Sequence, residues 1–204
     1  ETINATYFKS YGNWEPQGRV SSDFTGWTTP FAEWPEEVKK YWTYDPEGAE
    51  ALLDAAGLPR GADGIRFKTE LMHLEPRDLN YAQLVASYWN KIGVDVEIDV
   101  VPSAVFASRR TERDFEMISA EAANTWFPLV VQMKYTMGLS WNTSNPQDPD
   151  YDAMHKAAAA ATTLEEQHRI VKELDQYGIE KFWTIWGPMA PQYAAVQPWV
   201  IGYN

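Results

Sequence analysis

The hydrophobic period of this chain changes at a single glycine. Leu79, Ala82, Val85, Trp89 and Ile92 recur every three or four residues, which is the stripe of a helix with one buried side. Gly93 stops that helix. Val94, Val96, Ile98 and Val100 then alternate with Asp95, Glu97 and Asp99, the period of two expected of a strand with one buried face. A helix and a strand joined so tightly bury both apolar faces most simply by packing the helix on the sheet that the strand joins, so the pattern predicts a layered α/β unit.

The flanking residues extend the unit. Phe67 to Leu74 reads as a strand, Pro76-Arg77-Asp78 opens the helix just described, and Ser103 is placed to cap a helix through Val105, Phe106 and Arg109 to Thr111. Phe115 to Ala123 reads as a third strand, with 116–123 as its paired part. The order β, α, β, α, β over residues 67–123 favours neighbouring parallel strands joined by right-handed crossovers.

Upstream, Asp45-Pro46 is a cap followed by Pro at the first helical position; the helix it opens has Ala49, Leu52, Leu53 and Ala56 on its apolar face and closes at Gly57. Residues 1–44 read as a short opening helix and then an aromatic-rich loop holding Trp14, Phe24, Trp27, Trp34 and Trp42 among Gly and Pro turns. Downstream, Asp148-Pro149 starts a helix through Tyr151, Met154 and Ala158, and Thr163 to Glu166 is a capping box for another. That last helix places Ile170, Val171, Leu174, Tyr177 and Phe182 inward, with Arg169 in reach of Glu165 and Glu173. Thr184 to Val196 is apolar but punctuated by Pro188 and Pro191, so it reads as an interrupted, returning strand. The resulting expectation is an α/β lobe that folds alone, with a mixed sheet flanked by helices.

Charge narrows the partners. The formal net charge of −12 sets a repulsive field before a phosphate backbone or an anionic membrane, and no apolar run approaches the ~18 residues of a spanning helix. The chain opens at Glu1 with no charged-then-apolar signal segment, which reads as a mature segment or a piece cut from something longer. Zero Cys excludes disulfides, thiolate catalysis and Cys-type zinc sites and leaves the compartment open. The 10 Trp, 11 Tyr and 8 Phe supply rigid surface for a core or a cleft lining.

Catalytic chemistry is hard to find. His73, His155 and His168 stand far apart, and no nucleophile elbow, phosphate loop or dinucleotide fingerprint occurs. Asp148, Asp150 and Asp152 alternate as a calcium loop begins, but Pro149 stands second, no Gly stands sixth and Ala159 takes the twelfth place, where a bidentate Glu is needed. Helix capping explains Asp148 without a metal. The expectation is a binding protein rather than an enzyme, with no cofactor and no metal.

Five stretches together resemble a known family. Tyr44-Asp45-Pro46-Glu47-Gly48-Ala49-Glu50-Ala51-Leu52-Leu53-Asp54-Ala55-Ala56-Gly57-Leu58-Pro59 is similar to the "YDPEKAKALLAEAGYP" signature of family 5 extracellular solute-binding proteins, the receptors of peptide, nickel and oligosaccharide ABC importers. Tyr81-Ala82-Gln83-Leu84 through Gly93-Val94-Asp95-Val96-Glu97-Ile98 resembles that family's "AQ.iq..l..iGi.vei", and Arg109-Arg110 with Asp114 to Met117 its "R...gdfDm". Asp148 to Asp152 with Ala158, Thr163, Glu165-Glu166 and Arg169 resembles its "dpeyD.l...A....d.eeR" helix pair, and Val200 to Tyr203 its terminal "v.Gy". The order is consistent along residues 1–204.

The resemblance implies a type II periplasmic-binding-protein lobe, the second large lobe of a longer two-lobe receptor that closes on a small solute and delivers it to ABC permease subunits. It also implies a periplasmic or extracellular monomer, with an upstream signal peptide and a lipoprotein anchor possible. Within 1–204, residues 1–44 form the opening helix and aromatic loop, 45–123 the βαβαβ core and 124–204 helices and a returning strand. Solute contacts then fall after the third strand, on Glu121, Asn124 and Trp126, with Arg110 aligned to a family arginine that meets ligand carboxylates, and Trp141 and Trp27 as aromatic platforms. Peptide-binding members tend to carry an Asp in a "W..D..dp" pattern, where this chain has Asn124 and Thr125, so neutral or anionic solutes, oligosaccharides among them, are better suited than a free peptide ammonium. The plainer readings are that Arg110 is a surface helix cation and the tryptophans are core. The alternative function is a stand-alone α/β enzyme or sensor domain reusing the lobe.

Overall fold

The computed structural model describes residues 5, 9–12, 15–75, 77, 79–119, 127–139, 142–187 and 199. Its elements are α1 (Glu36–Lys39), α2 (Pro46–Ala55), β1 (Phe67–Leu74), α3 (Leu79–Lys91), β2 (Val94–Val101) and α4 (Ser103–Glu112). They are followed by β3 (Met117–Ile118), α5 (Pro128–Gln132), α6 (Pro149–Ala160) and α7 (Leu164–Glu180), and short 3-10 turns lie at Phe31–Glu33, Lys40–Trp42 and Met133–Tyr135.

The sheet order is β2-β1-β3 with parallel pairing throughout. Phe67 lies opposite Val94 and the register runs unbroken to Leu74 opposite Val101. The helix, Gly93, strand junction forms as its period change predicts: Gly93 takes φ +88°, a region that favours glycine, and a Cβ there would press on the Gly64 carbonyl at 3.0 Å. β3 is shorter than the expected 116–123, pairing only Met117 with Leu71 and Ile118 with Met72, while 120–123 lie outside the described residues. The strand expected at 184–196 would make the sheet mixed, but residues 184–187 carry no strand pairing and 188–196 lie outside the described residues. Residues 186 and 187 meet side chains instead: the Trp186 ring lies 5.4 Å from the Arg19 guanidinium, and the Gly187 backbone runs so close to the Tyr81 hydroxyl that a Cβ would sit 2.0 Å from it.

Local capping signals are realised almost one for one. Asp45 accepts from the Gly48 N–H, Asp148 from those of Asp150 and Tyr151, and Thr163 from that of Glu166. Ser103 differs, because Pro102 occupies the cap position of α4 and Ser103 is its first residue, with no side-chain cap bond. Phe182 also differs. α7 ends at Glu180, and Phe182, at φ +52°, is 44% exposed and stacks on Trp42 rather than joining the inner face of the helix.

Tertiary packing overrides two further readings. α2 buries none of its residues, and Leu52 is 53% exposed. The helix is held instead by Arg66, which donates to Glu50, Asp54 and the Leu58 and Ile92 carbonyls, and by Arg60, which donates to Glu50 and the Lys91 carbonyl. On β2 the alternation slips at its carboxyl end, where Val101 and not Val100 enters the core beside Met72 and Phe106.

Two cores result. Met72, Val101 and Phe106 lie under the carboxyl end of the sheet, with Leu74, Phe115 and Ile118 against them. The larger core gathers Val20, Val131, Tyr135, Tyr151, Ala158, Ile170, Val171 and Leu174 from α5, α6, α7 and the N-terminal segment. Trp183 packs edge-on at 5.2 Å against both Tyr135 and Tyr151, so part of the aromatic surplus is spent on this core.

Candidate functional site

Parallel strands direct all three chain exits to one edge. β1 leaves at Leu74-Glu75, β2 at Val101-Pro102 and β3 at Ser119, and β2 and β3 lie on opposite sides of β1, the topological position at which open α/β sheets characteristically take ligands. Backbone bonds extend the ladder past the strands. The Glu75 N–H donates to the Val101 carbonyl and the Ser119 N–H to the Met72 carbonyl, each at 3.0 Å.

Arg110 sits half-buried in the last turn of α4, one turn beyond Phe106 and on the same face of the helix. Its neighbour Arg109 has a structural role, donating to Glu70, Asp99 and the Asp114 carbonyl, and those carboxylates hold its guanidinium above its usual pKa. Glu121, Asn124, Trp126 and Trp141 lie outside the described residues. Trp27 is half-buried, with its ring 4.8 Å from Phe127 in an edge-on pair and 3.9 Å from the His168 imidazole. The aromatic loop and the residue following Trp126 are thereby brought together. Phe127 itself, 48% exposed, was not among the sequence candidates; an aromatic directly before Pro128 was the available signal.

Beneath this contact lies a buried polar hub. Asp175 on α7 is 2% exposed and accepts from the Val20 N–H at 3.0 Å, the Thr28 hydroxyl at 2.9 Å and the Gln132 side-chain amide at 2.7 Å. Burial pushes its carboxyl up, while those hydrogen bonds pull it down; burial is the larger effect. Arg19, 8% exposed, donates to the Val131 carbonyl and lies 4.6 Å over the Tyr135 ring. Tyr151 closes the network by donating to Gln132. The hub fixes the segment bearing Trp27 against α5, the helix that begins one residue after Phe127.

The three histidines serve separate places. His73 is 2% exposed within β1, His155 meets the Leu129 carbonyl at 3.2 Å, and the His168 ring lies tilted against Trp27. Asp148 is a helix cap that also accepts from the Tyr177 hydroxyl at 2.9 Å. An open cleft of about 560 Å³ lined by Gly26, Leu164, Glu165, His168, Arg169 and Lys172 lies along α7, beside Trp27, whose ring meets His168. Three of these six residues, Glu165, Arg169 and Lys172, are charged, and the cleft is broadly open, which suits solvent better than a desolvated ligand. The strand-exit edge is therefore the stronger candidate.

Residues 2–152 match the family model of bacterial extracellular solute-binding proteins, family 5 middle. The chain belongs to this family. Its fold is that of periplasmic binding proteins. The structure superposes on HbpA2 from Haemophilus parasuis with a TM-score of 0.76 at 18% identity, covering 93% of this chain and 36% of that one. The periplasmic binding protein DppA from Helicobacter pylori, in complex with peptide STSA, gives 0.68 at 19%, covering 93% and 35%. NikZ from Campylobacter jejuni, in complex with Ni(L-His), gives 0.71 at 17%, covering 93% and 39%. No curated protein sequence matches significantly. The chain thus spans little more than a third of these solved proteins, and its family is one of binding proteins, not of enzymes.

Proposed function

We propose that this chain is the ligand-binding lobe of a larger two-lobe receptor, the substrate-binding component of an ABC importer that captures a solute by lobe closure and hands it to membrane permease subunits. The observation that carries the reading is the strand-exit edge. Three parallel strands end at one edge of the sheet, on either side of the switch in strand order, and a family match covers all three strands. The proposed contacts are Glu121, Asn124, Trp126 and Trp141, with Arg110 meeting an anionic group and Trp27 backing the aromatic wall. The 204 residues form one ligand-binding lobe, divided as 1–44, 45–123 and 124–204, in a monomeric receptor held in the periplasm or outside the cell.

The solute follows from what the stretch after β3 lacks. Asn124 and Thr125 stand where a carboxylate would receive a peptide ammonium, and a buried ammonium without one loses several kcal/mol of hydration. A neutral oligosaccharide stacked on tryptophan suits the stretch, as does a peptide with its amine capped and its carboxylate on Arg110. The test is calorimetric titration of the full-length receptor with di- to pentapeptides, their acetylated forms and linear oligosaccharides. Binding of a capped peptide or an oligosaccharide, weakened at least tenfold by Trp126→Ala, is expected. Tight binding of unmodified dipeptides, indifferent to Trp126→Ala, would overturn both ligand class and site.

A further inference from the structure

β3 pairs through only two residues, so its exit is held weakly by the sheet itself. Ser119 is fixed by one further ladder bond and one bond from a side chain. Its N–H donates to the Met72 carbonyl at 3.0 Å, and its carbonyl accepts from Nη1 of Arg77 at 2.9 Å, across 42 positions of sequence. Arg77 is anchored in turn, since its own N–H donates to the Leu74 carbonyl at 2.9 Å in the turn leaving β1. Its guanidinium lies 6.0 Å from the centre of the Phe106 ring on α4, and Phe106 is 5% exposed in the core under this edge. One side chain thus ties the exit of β1 to the exit of β3 and to the helix that follows β2.

We infer that Arg77 is a positioning residue, fixing Ser119 and thereby the place from which the stretch carrying Glu121, Asn124 and Trp126 departs. The inference rests on the reading that this stretch contacts solute. Arginine suits the task better than lysine, because a planar charged fork can donate to a carbonyl while its face rests on an aromatic ring, and charge-assisted bonds are stronger than neutral ones. Nothing in the role requires Arg77 to touch solute.

The test uses the full-length receptor with Arg77→Met, which keeps an apolar stem over Phe106 and removes the donor, and Arg77→Lys, which restores one donor. Three readouts are compared: amide hydrogen exchange over 119–127 against that over β1 and β2, the thermal midpoint, and calorimetric affinity for N-acetyl-trialanine and a linear trisaccharide of glucose. Arg77→Met should speed exchange over 119–127 about tenfold, leave β1 and β2 protected, and weaken whichever probe binds by a similar factor, with Arg77→Lys in between. Unchanged exchange over 119–127 overturns the inference. So does an equal rise across all three strands with a lowered midpoint, since that is the mark of a general structural role. If the wild-type receptor binds neither probe nor any other solute of the panel, the functional reading fails, and the exchange pattern still decides whether Arg77 holds Ser119.

Discussion

Replacing Asp175 with leucine should lower stability by about 3–5 kcal/mol, because three donors inside the protein lose their acceptor together. The Val20 N–H and the Gln132 amide cannot turn to water in the folded state, and only the Thr28 hydroxyl is free to rotate. Leucine also has to enter a space where even Gly18 lies against the carboxylate, with a Cβ at that glycine falling 2.3 Å from Oδ2. Asp175→Asn is milder, at about 2 kcal/mol, because its amide group turns one donor toward another. Urea unfolding followed by tryptophan fluorescence reads both values.

The hub also gives the effect a signature in pH. The Asp175 carboxyl is pushed above its ordinary value in the folded protein, so the stability it contributes is fully present below its unfolded pKa and is lost as pH rises through the folded one. Glu50 behaves oppositely. Arg60 and Arg66 lower its pKa to about 2, so its contribution is present above the ordinary value of 4.5 and lost as pH falls from there toward 2. The stability gap between wild type and Asp175→Asn should therefore narrow as pH rises from about 4. A gap that widens over that range would mean that the buried carboxyl is stabilised as the anion.

Phe106→Ala is expected to cost about 3–5 kcal/mol, the range for removing a buried phenyl ring from a core that closes only partly. Phe106 is 5% exposed and packs with Met72 and Val101 beneath the strand exits, with Leu74, Phe115 and Ile118 around it. The cavity would lie directly under the candidate site and remove the ring beneath Arg77. Phe106→Leu, which refills most of the volume, should recover more than half of the loss. Equal destabilisation by both variants would show that ring geometry, not volume, supports this edge.

What the sequence revealed divides along local and non-local physics. The caps at Asp45, Asp148 and Thr163 and the stop at Gly93 were legible because each depends on bonds or dihedrals within a few residues. The length of β3 was not, since pairing is settled by a partner strand some 46 positions away. The apolar spacing of α2 gives no sign that the helix lies at the periphery with none of its residues buried, because ion pairs from Arg60 and Arg66 hold it there. Asp175 had a signal that went unused: it stands four residues after Val171 and four before Ile179, a carboxylate inside the apolar stripe of α7. Such a position implies donors from elsewhere in the fold, and they come from residues 20, 28 and 132. For Arg77, a cation just after a strand gives no hint of the carbonyl it reaches.

Solute is expected at the carboxyl edge of the β2-β1-β3 sheet. A crystal structure of the full-length receptor, grown with the solute that calorimetry identifies, tests this most directly. The account predicts solute atoms within hydrogen-bonding or van der Waals distance of the 119–127 stretch, with Trp126 stacked on the solute and Arg77 bonded to Ser119 behind it. Solute bound in the cleft along α7 beside His168 and Lys172, with the strand exits untouched, would contradict it.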